Sequence, residues 1–188
     1  MRVLGLCGST RIASCSLALL RAMAGAAPKG WIVAVESGLA DLPVFSPDRE
    51  GPPAPPGVEA LLAAIAAADA LVIASPEYVR TIPGGLKNGV DWCVSRPEIL
   101  GKPIALAHAS NRGGAMLGHL RRVLDTVSNR FTADVFLRVP LSALPPKAVA
   151  PALAAAGPEI ASFWAALAGH VQAGNHRADF PVFLRNGA

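Results

Sequence analysis

The sequence predicts an α/β protein built on an open, doubly wound parallel sheet of five strands, with helices on both faces. Five short apolar runs alternate with stretches of helical periodicity, which is typical of βαβ units. The predicted strands are continuously apolar rather than alternating, as expected for strands covered on both faces. A length of 188 residues is that of one domain, and we predict a single domain over 1–188.

The elements follow one another in the order strand, helix, strand. The predicted strands, which are short and apolar, cover residues 3–7, 31–36, 70–75, 102–108 and 131–139. The predicted helices, which repeat apolar residues at helical spacing, cover residues 14–26, 58–68, 85–92, 114–127 and 158–171. A proline-rich loop is predicted over 37–57, and a proline-rich joint precedes the last helix at Pro145 and Pro146. The tail at 173–188 has no clear period.

The composition excludes several classes of protein. Hydrophobic residues make up 52% of the chain and charged residues 16%, so the chain is not disordered. The net charge is +4, but the basic residues are scattered, so no nucleic-acid partner is predicted. Three cysteines without metal-ligand spacing indicate reduced thiols. With neither a signal peptide nor a membrane span in the sequence, we predict a cytoplasmic protein with no membrane partner.

Three loops rich in Gly, Ser, Pro, Asn and Arg follow the first, third and fourth predicted strands, at 8–14, 75–85 and 109–114. In an open parallel sheet, ligands bind beyond the carboxyl ends of the strands near the switch point. We therefore expect these loops to converge on one crevice.

The first loop is a candidate phosphate site. Its donors lie at the start of a predicted helix, where backbone N–H groups and the helix dipole favour an anion; they are Ser9, Thr10, Arg11, Ser14 and Ser16. The loop lacks both the P-loop pattern and Gly-x-Gly-x-x-Gly, so a terminal monoester phosphate suits it better than ATP or a dinucleotide. The alternative is that Ser14 only caps the helix and Arg11 is a solvated cation.

The second and third loops are candidate walls for a flat heterocycle. Two prolines, Pro76 and Pro83, stiffen the second loop, whose backbone amides follow a strand end. The alternative is an ordinary connection in which Tyr78 and Trp92 belong to the core, and core packing is our interpretation for Trp92. The paired glycines Gly113 and Gly114 let a backbone approach a ligand closely.

Together these loops resemble the NADPH-dependent FMN reductase family, the flavodoxin-like group that includes chromate and quinone reductases. The matching segments are Gly8-Ser9-Thr10-Arg11…Ser14, Asp41-Leu42-Pro43-Val44-Phe45, Ser75-Pro76-Glu77-Tyr78…Ile82-Pro83-Gly84-Gly85-Leu86-Lys87-Asn88…Asp91-Trp92, Gly101-Lys102-Pro103 and Ser110…Gly113-Gly114. The likeness covers about residues 1–140. It implies a flavodoxin-like sheet with strand order 2-1-3-4-5.

The resemblance also implies a tightly but non-covalently bound FMN and NADPH or NADH as reductant. The hydroxyl-rich first loop would hold the phosphate of FMN, and the second loop would lie along the edge of its ring. The residues after the fourth strand would form the third wall of the site. The implied cofactor-binding residues are Ser9, Thr10, Arg11, Ser14, Ser16, Pro76, Glu77, Tyr78, Val79, Ser110, Arg112 and Gly113.

The implied activity is ping-pong hydride transfer through flavin N5 to quinones, free flavin, azo dyes, nitroaromatics or chromate-like acceptors. No catalytic side chain is expected, since the flavin carries the chemistry. The family implies a homodimer or homotetramer. This chain departs from the family pattern at two positions, with Ser16 and Val79 where the family usually has Asn.

Two alternatives remain open. One is an FMN-binding redox or sensor module with little turnover. The other is a hydrolase similar to the low-molecular-weight tyrosine phosphatases, which need a Cys, five residues and an Arg. Arg11 follows Cys7 too soon, while Cys15 and Arg21 have the right spacing across a segment that is predicted to be helical. His108 ends a strand near the third loop, and we interpret it as a packed residue.

Overall fold

The fold is known from a computed structural model, which describes residues 1–51 and 53–174. Its strands are β1 (Arg2–Cys7), β2 (Ile32–Glu36), β3 (Ala70–Ala74), β4 (Ile104–His108) and β5 (Phe131–Arg138). They form one parallel sheet in the order β2-β1-β3-β4-β5. The predicted fold class and strand order are confirmed. Most of the predicted tail, residues 175–188, lies outside the described residues.

Helices cover both faces of this sheet. They are α1 (Cys15–Gly25), α2 (Pro56–Ala67), α3 (Gly84–Asp91), α4 (Pro97–Leu100), α5 (Gly114–Val127), α6 (Pro146–Ala155) and α7 (Gly157–Ala173). One hydrophobic cluster joins the sheet to α2, α3, α4 and α5, and the other joins it to α1, α6 and α7. The strand order reverses at β1, which has β2 on one side and β3 on the other. The loops that follow β1 and β3 therefore diverge and leave a crevice between them.

The two faces of the central strands carry side chains of different size. Leu71, Ile73 and Leu106 point to the face that packs on α2, α3 and α5. The opposite face carries mainly Ala on β3 and β4, which lets the fully buried Trp164 of α7 fit beneath the sheet. The Trp164 indole donates its Nε1–H to the carbonyl of Met23, 3.1 Å away, and so ties α7 to α1. Both faces are therefore closed, and the carboxyl edge is left for ligands.

Several expected boundaries were wrong. The predicted joint at Pro145–Pro146 begins α6, with Pro146 in its first turn, where proline loses no hydrogen bond. Helix α6 contains no fully buried residue, and its apolar face is a short one in which Val149, Ala152 and Leu153 pack partly buried against the core. The short α4 was not predicted, and the proline-rich loop contains two 3₁₀ turns, Leu39–Asp41 and Pro47–Arg49, before α2 begins.

The proline-rich loop is fastened to α3 by side chains of the long second motif. Asn88 Oδ1 accepts the Phe45 N–H at 2.8 Å, and Asn88 Nδ2 donates to the Pro43 carbonyl at 3.0 Å. The same carbonyl accepts the indole N–H of Trp92, which is fully buried. Trp92 is a core residue as interpreted, and much of the long motif thus has a structural role.

Strand β5 lies at one edge of the sheet, and its pairing with β4 is interrupted by a shift in register. Ile104 pairs with Phe131, but Leu106, only two residues further on, pairs with Phe136. The extra β5 residues form a bulge that bends the strand. Beyond the bulge, the guanidinium groups of Arg121 and Arg138 each lie 5.5 Å from the ring centre of Phe136.

Within residues 1–51 and 53–174, no single helix is long and apolar enough to cross a membrane, although the bent pair α6 and α7 together meets the criteria of length and composition.

Candidate functional site

A cleft of about 250 Å³ opens at the carboxyl ends of β1, β3 and β4. The three loops that the sequence singled out meet there, as expected from a parallel sheet. Seven hydroxyl side chains line it, those of Ser9, Ser14, Ser16, Ser75, Tyr78, Ser110 and Ser142. A second cavity of about 380 Å³ adjoins the cleft and shares its wall at Pro76, Glu77 and His108.

The first wall is the turn that leads into α1. Ser14 caps the helix, its Oγ accepting the Leu17 N–H at 3.2 Å, and Ser9 Oγ accepts the Arg11 N–H at the same distance. The first turn of α1 holds no acidic side chain. Ser14 therefore does cap the helix, but it also lines the cleft beside the positive end of the helix dipole. This wall suits a phosphate.

Gly8 lets the first wall sit close to its neighbours. A Cβ on Gly8 would lie 2.6 Å from Ser75 Oγ and 2.8 Å from Leu86 Cδ2. Only glycine avoids this overlap, so β1, β3 and α3 can pack together at the base of the cleft.

The second wall is the segment Pro76 to Tyr78. The Glu77 carboxylate accepts the Met116 N–H at 3.2 Å, so its charge is directed to the first turn of α5. The Tyr78 hydroxyl lies 3.3 Å from Ser9 Oγ and links the second loop to the first. Burial raises the pKa of Tyr78, but hydrogen bonds with Ser9 and Thr10 and the charge of Arg11 outweigh it, so this pKa is lowered.

A tight turn projects from the second wall. Tyr78 and Thr81 exchange two backbone hydrogen bonds of 3.1 and 3.0 Å around Val79 and Arg80. Both central residues have left-handed backbone angles, with φ of 49° and 61°. Such turns favour Asn or Gly, and a β-branched residue is strained there. Val79 is 96% exposed and lines neither cavity.

The third wall follows β4. Ser110 lines both cavities, while Arg112 and Gly113 line the second. Gly113 has a left-handed φ of 95°, and a Cβ there would lie 2.8 Å from His108 Nε2. The glycine therefore allows both the turn into α5 and the close approach to His108.

The sequence interpretation missed a fourth wall. Ser142, in the segment after β5, lines both cavities and donates from its Oγ to Ser110 Oγ at 2.8 Å. The available signal was a serine four residues beyond Arg138, in the segment that follows the fifth parallel strand. His108 is packed as interpreted, with 1% exposure, yet it also lines both cavities.

The structure brings together most of the predicted cofactor-binding residues. Those that line the first cavity are Ser9, Arg11, Ser14, Ser16, Pro76, Glu77, Tyr78 and Ser110. Thr10 and Val79 line neither cavity. Their roles stay predictions.

The geometry argues against the phosphatase alternative. Cys7 is 1% exposed and its thiol points to the Ser9 carbonyl. Burial raises the pKa of Cys7 and outweighs the opposite effects of Ser14 and Arg21, whereas a thiolate nucleophile needs a lowered pKa. Cys15 and Arg21 lie on one helix, so the segment between them cannot wrap a phosphate. In the described part of the chain, no three His, Cys, Asp or Glu residues are grouped as metal ligands.

The residues present fit a flavin mononucleotide. Hydroxyl groups, Arg11 and the positive end of α1 suit its phosphate. The adjoining cavity is bounded by the stiff Pro76 segment and by the close-packed Gly113, which suit a flat ring. The Glu77 carboxylate, which would repel a phosphate, is occupied by the Met116 N–H.

Comparisons with known proteins agree with this geometry. The family model for NADPH-dependent FMN reductase matches residues 1–137. A quinone reductase of Escherichia coli (strain K12) is 38% identical over 132 residues, which cover 66% of this chain and 69% of that protein. An NAD(P)H-dependent FMN reductase of Pseudomonas aeruginosa is 37% identical over 129 residues, again 66% and 69% of the two chains. The structure of FerB, a flavoenzyme NAD(P)H:(acceptor) oxidoreductase from Paracoccus denitrificans, superposes with a TM-score of 0.71 at 23% identity, covering 90% of this chain and 98% of that one, which supports the shared fold.

Proposed function

The chain belongs to the NADPH-dependent FMN reductase family, and on that premise we propose that it oxidises NAD(P)H and reduces small organic acceptors, quinones first among them, at an FMN held in the cleft. Family membership implies an oxidoreductase that uses FMN and NAD(P)H. The observation that carries the assignment of the site is the convergence of hydroxyl side chains with the start of α1 in one cleft.

Different residues of the chain would bind the phosphate and the ring of the cofactor. The hydroxyls of Ser9, Ser14 and Ser16 would hold the phosphate together with the guanidinium of Arg11. The main chain of Pro76 to Tyr78 would orient the ring, since the side chains of Glu77 and Tyr78 are engaged with Met116 and Ser9. Thr10 and Val79 line neither cavity, and we propose that they contact the bound FMN from the exposed parts of their loops.

When bound, FMN supplies the hydride and electron chemistry, and the protein sets its position and its electrostatic surroundings. The backbone dipoles and the start of α1 would favour the negative charge that gathers during reduction. Glu77 and His108, which line the cleft, are both hydrogen-bonded to backbone groups, and we assign neither of them a role as general acid or base. We expect NAD(P)H and the acceptor to use one open face in turn, which gives ping-pong kinetics.

The first experiment is to purify the protein, release any yellow cofactor and identify it, then measure NAD(P)H oxidation with a quinone. We expect FMN, together with parallel double-reciprocal lines when the quinone concentration is varied. A colourless protein that takes up no added FMN would remove the proposal. Tight FMN binding without turnover would favour the redox or sensor module instead.

Arg80 and Arg112 are the cations that we assign to the phosphates of NADPH. Arg80 is exposed on the turn that projects from the second wall, and Arg112 lines the second cavity. Replacing each by Ala should raise the KM for NADPH and leave the KM for a neutral quinone near its original value. The matched control is Lys29→Ala, which removes the same charge from the opposite edge of the sheet. An unchanged KM for NADPH in both Arg variants would exclude this role.

Three properties of the protein remain proposals. Free flavin, azo dyes, nitroaromatics and chromate-like anions are further acceptors to be compared with quinones by kcat/KM. A homodimer or homotetramer is expected, and sedimentation velocity will distinguish the two. A cytoplasmic location is the prediction from sequence, and fractionation of cells tests it.

A further inference from the structure

Two helices begin at the cavities of the cleft, and their first turns are completed in different ways. The start of α1 lines the first cavity, is capped by the neutral Ser14, and has no acidic residue in its first turn. Helix α5 begins after Gly113, which lines the second cavity and has no side chain to cap it, and its own first turn holds no acidic residue either. From its own segment alone, α5 would therefore present the same open positive end as α1.

The start of α5 receives a carboxylate from the second loop instead. The Oε2 atom of Glu77 accepts the N–H of Met116, the third residue of the helix, at 3.2 Å and across 39 residues of chain. A Cβ built on Gly113 would lie 3.7 Å from the Cβ of Glu77, so the Glu77 side chain starts directly beside the start of the helix. One negative charge is thus placed against the positive end of α5.

The two helix starts therefore offer an anion different surroundings. An anion at the start of α5 would meet the Glu77 carboxylate, which repels it and already holds the Met116 N–H. An anion at the start of α1 meets the hydroxyl of Ser14 and the guanidinium of Arg11. The repulsion concerns the helix backbone, because Arg112 is an exposed loop residue whose guanidinium can meet a phosphate farther out. Glu77 lines both cavities, at the wall that they share.

We propose that Glu77 is a specificity-determining residue of the cleft, whose carboxylate closes the start of α5 to anions and leaves the start of α1 open to them. It thereby fixes the direction in which FMN binds, with the phosphate at α1 and the ring toward α5. This inference rests on the proposed function, because it takes FMN as the ligand of the cleft.

The test uses the full chain without FMN, inorganic phosphate as the probe and the NMR shifts of backbone amides as the readout. In the wild-type protein, phosphate should shift the amides at the start of α1 at concentrations at least about tenfold below any that affect residues 114–116. Glu77→Gln keeps an oxygen that accepts the Met116 N–H but removes the charge, so the phosphate affinity at residues 114–116 should rise roughly tenfold. Glu159→Gln is the matched control, because it removes a carboxylate from the first turn of α7, outside both cavities, and should keep the wild-type pattern.

A second substitution separates the charge of residue 77 from a merely structural role. Ala115→Glu, added to Glu77→Gln, returns a carboxylate to the first turn of α5 at an exposed position. Residues 114–116 should then lose the phosphate affinity that they gained in Glu77→Gln. A double variant that responds like the single one would contradict the role of the charge.

A response of residues 114–116 that is no stronger in Glu77→Gln than in the wild-type protein would overturn the inference. If Glu77→Gln does not fold, the wild-type titration decides. A response at the start of α1 alone supports the inference, and equal responses at α1 and α5 overturn it. Failure of the proposed function is recognised separately, because the wild-type protein would then bind no FMN and its α1 amides would not respond to phosphate.

Discussion

The three cleft loops differ in exposure between their bases, next to the strands, and their tips, which are farthest from the sheet. At the bases, Ser75 and His108 are each 1% exposed and Ser9 is 6% exposed. At the tips, Ile12 is 99% exposed and Val79 is 96% exposed. The bases are joined to one another by Tyr78 with Ser9 and by His108 with two carbonyls, while the tips face solvent. The fold thus fixes the part of each loop that we assign to the cofactor and leaves the outer part open to solvent.

The largest expected effect tests the close packing of the bases. Gly8→Ala places a Cβ against Ser75 and Leu86, so the free energy of unfolding should fall by about 2 kcal/mol, and FMN binding should weaken with it. Urea unfolding and flavin titration measure the two effects. Gly118→Ala is the matched control, because nothing lies near that position on α5 and alanine favours a helix. Equal destabilisation by both substitutions would contradict the argument.

The second prediction compares the two thiols that flank the first loop, Cys7 at the end of β1 and Cys15 at the start of α1. Cys7, at the base, is buried and has a raised pKa, so it stays protonated as the pH rises from about 7 to about 9. Cys15 is partly exposed and lines the cleft. Iodoacetamide should modify Cys15 at least about tenfold faster than Cys7, and bound FMN should slow the reaction of Cys15. Mass spectrometry of peptides reads both rates, and rapid labelling of Cys7 would show that the base is open.

The third prediction concerns the cap of α1. Ser14→Ala removes the Oγ that accepts the Leu17 N–H, so the free energy of unfolding should fall by about 1 kcal/mol. Ser162→Ala, in the exposed middle of α7, removes a hydroxyl that bonds only its own helix and should be neutral or slightly stabilising. Thermal unfolding of both variants gives the comparison, and a neutral Ser14→Ala would mean that the cap contributes little.

The smallest expected effect concerns a tip. Val79→Asn removes a β-branched side chain from a left-handed backbone position and so relieves strain. The free energy of unfolding should therefore rise by about 0.5–1 kcal/mol. Val79→Thr keeps the β-branch and should bring no such gain. If Thr stabilises as much as Asn, strain at residue 79 is not the cause. FMN titration of both variants tests whether Val79, which lines neither cavity, contacts the cofactor as proposed.

The sheet could be predicted from the sequence because β1, β3 and β4 are continuous apolar runs between loops rich in Gly, Ser and Pro. Strand order came from the resemblance, since apolar runs do not say which strands are neighbours. Helix α6 was missed because none of its residues is buried and two prolines start and interrupt it.

The site was predictable where its residues are contiguous, as in the first loop. Ser142 and the bridging role of His108 were not predictable, because both depend on contacts between segments more than 30 residues apart in the chain. The strain at Val79 was also hidden. The resemblance implies that the family usually has Asn where this chain has Val79, but only the backbone angle shows that the position is left-handed.

The bulge in β5 has a consequence for how copies of this molecule meet. A straight outer strand offers an unbroken row of free amide and carbonyl groups that another molecule's strand can join, which is a route to fibres. Here the extra residues between the partners of Ile104 and Leu106 break that row, and two guanidinium groups flank the ring of Phe136 beyond it. Growth of the sheet by addition of another molecule's strand at this edge is thereby disfavoured.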